Sequence, residues 1–212
     1  MTKPIIFPAN ISNDDTALLP AIEFDGPISI IDTESQIKAA CRYLAGQPII
    51  GFDTETRPSF RAGVINRVAL LQLSSAERSF LFRLNKIPLD KAIIKLLESK
   101  EILKIGIDIK GDLRALHNIR HFQERNFIDL QHFVEDWGIA EKSLRKISAI
   151  VLGKRVSKAQ RLSNWEATQL TPGQQLYAAT DAWVCTRIYD QLLHTPKPKK
   201  RKNDATNPSA QR

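Results

Sequence analysis

Three short stretches carry residues whose types and spacing could do chemistry. In "QLYAATDAW" (175–183), Tyr177 and Asp181 stand four residues apart among alanines and aromatics. On a helix that spacing puts both on one face, separated by about 6 Å of rise. In "GFDTET" (51–56), Asp53 and Glu55 flank Thr54. On a strand, both carboxylates leave the same face about 7 Å apart. The preceding "PIIGF" is apolar enough for a central strand, where two acids repel each other. A hard divalent cation removes that repulsion and gives both oxygens a purpose. The fourth acid is Asp112 in "IGIDIKGDLRAL" (105–116), which follows an apolar strand pattern and opens a helix. Open α/β sheets place ligands at such strand ends. Asp108 is a rival, ranked lower because it precedes the turn.

Taken singly, each motif has an ordinary reading. Tyr177 packs sideways on a surface helix, Asp53 and Glu55 cap a solvated strand end, and Asp112 is a helix cap. Together, four carboxylates and a phenol suit two-metal phosphoryl chemistry. In that chemistry a pair of divalent ions about 3.5–4 Å apart activates a water and stabilises the leaving oxygen. A phenol, with an ordinary pKa near 10, is mostly protonated at neutral pH and orients a water more readily than it acts as a base. Gly106, Lys110 and Gly111 hint at a phosphate loop, but Asp112 stands where Lys and Ser/Thr are required, which excludes an NTPase site.

The elements that must hold these groups show as periodicities. Strand patterns occur at "PISIID" (27–32), "PIIGFDTE" (48–55), "RVALLQLSS" (67–75), "RSFLFRL" (78–84), "ILKIGI" (102–107) and, leading into a helix, "FIDLQ" (127–131). Helical patterns occupy "TESQIKAACRYLAG", entered at Asp32 or Thr33 and closed by Gly46, then "LDKAIIKLLES", "KGDLRALHNI" beginning near Gly111–Asp112, and "KSLRKISAIVLG". The longest is "TPGQQLYAATDAWVCTRIYDQLLH" (171–194), with Thr171 as cap and Pro172 in the first turn. Adjacent strands followed by helix-separated strands predict an α/β domain with a mixed sheet. Residues 1–27, rich in Pro, Asn and Asp, read as an irregular N-terminal extension, and residues 196–212 as a basic disordered tail.

At 212 residues and 42% hydrophobic, the chain suits a single domain with extensions. It has no apolar run of the roughly 18 residues that a membrane helix needs. The start "MTKPIIFPANISNDD" lacks the order of a secretion signal. Cys41 and Cys185 have no zinc-like spacing and read as buried, reduced thiols of a cytoplasmic protein, nuclear if the source is eukaryotic. Of the net charge of +8, the tail 197–212 holds +5, leaving 25 basic and 22 acidic residues elsewhere. A basic arm suits a polyanionic partner and equally a solubilising end.

The blocks "IIGFDTET", "VALLQLSS", "LKIGIDIKGDLRAL" and "RLSNWEATQLTPGQQLYAATDAWVCTRIYDQL" fall in order over about residues 28–195. In them the chain resembles the tyrosine (DEDDy) subclass of the DEDD 3′–5′ exonucleases, the family that includes the Werner helicase exonuclease domain and the RNase D nuclease domain. The resemblance implies a ribonuclease H-like fold, a single domain with a mixed five-stranded sheet flanked by helices. It implies two Mg²⁺ ions, replaceable by Mn²⁺. Asp53 would bridge both, Glu55 and Asp181 would hold the nucleophile-side ion, Asp112 the other, and Tyr177 would position the attacking water. The reaction implied is hydrolysis at the 3′ end of DNA or RNA, with release of nucleoside 5′-monophosphates. Its partners are nucleic-acid 3′ ends, with no membrane and no indicated protein partner.

Thr54, Thr56, Arg57, Arg161 and Asn164 are the expected substrate contacts. Arg57 and Arg61, in "TRPSFR" (56–61), mark a departure from the family pattern beside the metal site. The length leaves no room for further helical domains or a helicase, which implies a stand-alone or recruited nuclease. Two rivals are a catalytically silent nucleic-acid-binding adaptor on the same fold and a hydrolase of short oligonucleotides. His117 and His121 have zinc spacing but no third ligand, and read as packing or surface residues. Asp129 reads as a structural hydrogen-bond acceptor, and Asn164–Trp165 as a packed hinge. Arg155, Lys158 and Arg161 could track a phosphate backbone or form a solvated face.

Overall fold

The octet "IIGFDTET", apolar in its first half, forms the strand around which the sheet is built. The computed structural model describes residues 6–59, 63 and 66–198; Arg61 and residues 199–212 of the tail lie outside them. Strand β2 (Ile49–Thr56) pairs antiparallel with β3 (Val68–Ser74) and parallel with β5 (Leu103–Gly106). Strand β3 continues antiparallel to β4 (Ser79–Phe82), which runs parallel to β1 (Ile28–Ile31). On the other side, β5 pairs parallel with β6 (Phe127–Asp129). The sheet is therefore mixed, with six strands in the order β1-β4-β3-β2-β5-β6. The expected count of five is corrected by β6, three residues long at an edge.

Strand alternation divides the hydrophobic side chains between two layers. Phe52, Leu71 and Leu73 face helices α2 (Glu34–Ala45), α3 (Lys91–Leu97) and α4 (Ile109–His117). Leu70 and Leu81 lie on the opposite layer with Trp165 and Ala178, the latter on the long helix α7 (Pro172–Leu193). Ile105, Val184 and Ile188 join α5 (Leu130–Phe133) and α6 (Leu144–Leu152) there. Helix α7 starts at a capping box, with Thr171 and Gln174 satisfying each other's backbone and Pro172 in the first turn. Among the described residues no helix is long and apolar enough to cross a membrane.

Two boundaries differ from the sequence reading. Residues 1–27 are not irregular throughout. Ser12 caps a short helix, α1 (Asn13–Leu18), Ala21 bridges to Arg155, and Phe24 is buried with its N–H donating to Thr180 Oγ1 at 3.0 Å. Composition concealed this, because the segment is held by residues more than 130 positions away. Helix α4 begins at Ile109, two residues before the expected start. Its orphan N–H groups are met by Asp129 at the end of β6, which accepts from Asp108 at 3.3 Å and Ile109 at 3.0 Å. Asp129 also accepts from Gln131 at 2.9 Å, so its role is the structural one expected. Asp112, inside the first turn, is thereby released from capping.

Candidate active site

The alternation of β2 sends Asp53 and Glu55 toward α7, as Leu70, the cross-strand partner of Glu55, confirms by sharing that layer with Ala178. Just beyond, the pairing with β3 shifts register between Glu55 and Thr56. Such irregularities re-aim side chains at strand ends. Helix α7 comes unusually close to β2. A Cβ on Gly51 would stand 1.8 Å from the carbonyl oxygen of Ala182, so only glycine permits the approach. Asp181 is the neighbour of Ala182, and it arrives opposite Asp53.

Carboxylate oxygens of Asp53, Glu55 and Asp181 lie within 4.8 Å of one another. Burial, then the neighbouring Asp181 charge, pushes the Asp53 carboxyl well above the usual range. Burial and the charges of Asp53, Asp181 and Asp112 raise Glu55 to about 10. Asp181 is raised by burial to about 7, although the nearby Tyr177 hydroxyl works the other way. One oxygen of Asp181, Oδ1, is buried without a hydrogen-bond partner among the described residues. The Tyr177 phenol is pushed up by burial and by the Asp181 and Glu55 charges. It therefore keeps its proton and serves as a donor.

Asp112 approaches from the other layer, on α4. It stands outside the group of three, yet burial and the Asp53 charge raise it to about 8. Thr54 Oγ1 donates to its Oδ1 at 2.6 Å. All four acids thus meet electrostatically at the end of β2, three of them with oxygens within 4.8 Å of one another.

The remaining predicted residues fare differently. Thr54 is committed to Asp112, and Thr56 is half-buried at the register shift. Arg57 is exposed and donates to Glu166 Oε2 at 3.2 Å. Arg161 and Lys158 are exposed, but Arg155 is spent on structure, its Nε donating to Leu19 O at 3.0 Å. The Asn164 side chain closes a turn by accepting from Glu166 N at 3.1 Å. Its neighbour Trp165 is fully buried, 6.0 Å from the Tyr177 ring, and so is packed as expected. Lys86 Nζ reaches Thr168 O at 2.7 Å and Arg83 reaches Ala167 O, pinning this segment from β4's end. His117 stacks on Phe122 at 4.5 Å and pairs with Glu124. Sequence reasoning missed Gln72, fully buried directly across from Asp53, with neither amide atom partnered among the described residues. Its only signal is register, which a sequence does not display.

The chain has relatives among known proteins in both sequence and fold. The chain is 34% identical over 190 residues to the mouse bifunctional 3′–5′ exonuclease/ATP-dependent helicase WRN, spanning 82% of this chain and 13% of that protein. The Nibbler EXO domain of Aedes aegypti superposes with a TM-score of 0.69 at 25% identity, covering 79% of this chain and 89% of that one. Trypanosoma brucei RNase D, solved in complex with RNA U12, superposes at 0.71 with 24% identity, covering 80% and 63%. The likeness in architecture supports the ribonuclease H-like fold. The 3′–5′ exonuclease family model matches residues 28–195, from the first strand of the sheet to the end of α7, and the chain belongs to that family.

Proposed function

We propose that the protein is a divalent-metal-dependent 3′–5′ exonuclease acting on DNA or RNA, releasing nucleoside 5′-monophosphates by a two-metal mechanism. The observation that supports this most is the convergence of Asp53, Glu55 and Asp181 within 4.8 Å, Asp181 buried and the other two half-buried. Three such groups repel unless protonated or bridged by cations. The donors are all hard carboxylate oxygens, and Asp181 Oδ1 is orphaned, a set that fits Mg²⁺ or Mn²⁺. Asp53, Glu55 and Asp181 would hold one ion, and Asp53 with Asp112 the other. When bound, such ions supply an activated water and neutralise charge on the leaving oxygen.

The protein's own contribution is orientation. The protonated Tyr177 hydroxyl, next to Asp181 and Glu55, would hold the attacking water by hydrogen bonding without removing its proton. Exposed Lys158 and Arg161 would meet strand phosphates. Arg57 would join them only by leaving Glu166. Both nucleic acids are kept as substrates. The RNase D neighbour was solved with RNA, and the WRN relative is named both an exonuclease and a helicase. A cytoplasmic, reducing setting suits the two free, buried thiols.

The test is hydrolysis of end-labelled DNA and RNA strands in Mg²⁺ or Mn²⁺ by the parent protein and by Asp53→Asn and Asp181→Asn. Each variant should fold and lose on the order of 10³-fold or more in rate, as members of a catalytic unit do. Digestion at the parent rate by either folded variant would overturn the reading. An adaptor on this fold would bind strands and show no EDTA-sensitive nucleotide release. A hydrolase of short oligonucleotides would leave long strands intact.

A further inference from the structure

The alternation of β2 splits the site across the sheet, and something must join its halves. Asp53 and Glu55 face α7, whereas Thr54, paired with Leu71, faces the layer that holds α4. Asp112 comes from that second layer and lies outside the compact group of three acids. Thr54 is the link. It follows Asp53 directly in the strand, and its hydroxyl donates to Asp112 Oδ1 at 2.6 Å. One residue therefore touches an acid from each side.

A threonine hydroxyl has a single proton to donate. Committed to Asp112, it has none for a substrate phosphate, which contradicts a role as a strand contact. The bond also fixes which oxygen of Asp112 is occupied, leaving lone pairs of the second oxygen for a cation or its water. Threonine fits this task better than serine or valine. Its γ-methyl restricts χ1 on a strand, so the hydroxyl is held in one direction. Valine has the same shape without the proton and would leave Asp112 Oδ1 without this donor.

We infer that Thr54 is a positioning residue that fixes the Asp112 carboxylate beside Asp53, so that the acid from α4 completes the metal-binding set. This rests on the metal-dependent reading of the site, and its test reads metal affinity separately from strand cleavage. Mn²⁺ binding to metal-free protein is measured by calorimetry for the parent, Thr54→Val, Thr54→Ser and Asp112→Asn, with kcat and KM on a labelled strand. Thr54→Val should weaken Mn²⁺ binding by about 10- to 100-fold and lower kcat by a similar factor, the usual cost of losing a group that orients a ligand. KM for the strand should stay near the parent value, and Thr54→Ser should recover most of the Mn²⁺ affinity. In an Asp112→Asn background, Thr54→Val should have little further effect, because the two residues act as a unit. If valine disturbs packing, Thr54→Ala carries the same expectation.

Unchanged Mn²⁺ affinity with a raised KM would overturn the inference in favour of a strand contact. Unchanged affinity with only a lowered metal-free melting temperature would reduce the hydroxyl to a structural one. A parent protein that cuts no strand, while valine and serine variants still differ in Mn²⁺ affinity, would sink the exonuclease reading and leave Thr54's role standing. A parent that cuts strands with a valine variant equal to it in every respect would do the reverse.

Discussion

Asp181 shows at the scale of one residue why a site of this kind is unstable when empty of cations. Burial holds its carboxyl at about 7, that of Asp112 at about 8 and that of Glu55 at about 10, against about 4 for an exposed acid. Between pH 4 and those values the folded protein therefore binds more protons than the unfolded chain. Stability must fall as pH rises through that window, and it is fully present only below it. In EDTA the melting temperature should drop steadily from pH 5 to pH 9. Divalent cations should restore it, more at pH 8 than at pH 5.5, because cations bind the ionised form. Asp181→Asn should flatten the profile. A pH-independent melt in EDTA would show that the acids are better solvated than their burial indicates.

At the scale of elements, the contact between β2 and α7 sets the position of Asp181. Gly51 and Ala182 stack backbone on backbone, and any side chain at 51 would meet a carbonyl that belongs to a rigid helix. Gly51→Ala must therefore push α7 outward and carry Asp181 away from Asp53. The expected cost is about 1–3 kcal/mol of stability from overpacking. A displacement of about 1 Å at a reacting centre costs on the order of 10²-fold in rate. Circular dichroism melts and strand cleavage measure the two effects together, and parental values for both would refute the close approach. The acids themselves remain intact in this variant, so any loss reports on placement alone.

At the scale of the whole molecule, the stretch matched to the family begins at residue 28, yet the fold uses residues before it. Phe24 is 4% exposed, its ring lies 5.6 Å from that of Trp183, and its N–H is bound to Thr180, one residue before Asp181. Ile22 N–H donates to Arg155 O at 3.0 Å, tying the same segment to the turn after α6. Removing residues 1–27 should therefore lower the melting temperature, with the loss of Phe24 burial alone contributing about 1.5–3 kcal/mol. Phe24→Ala should reproduce most of that loss in the full chain. Equal melting of the full and shortened proteins would make the segment a passive extension.

Much of this was present in local patterning. The central strand and α7 follow from "PIIGF" and from the Thr171–Pro172 start, because periodicity and capping are properties of neighbours in sequence. The five proposed site positions were likewise visible as spacings, two on a strand, two on a helix and one after a strand. The sequence did not show which layer each acid would come from, nor that the Thr54 hydroxyl would donate to Asp112. It could not tell that Arg155 would be consumed by Leu19, that Arg57 would meet Glu166, or that Gln72 would stand opposite Asp53. Each of these depends on partners remote in the chain, brought together by strand register and by the direction from which helices pack. Residue order determined which groups were available, and the tertiary fold determined which of them face each other, because only packing fixes distances between distant parts of a chain.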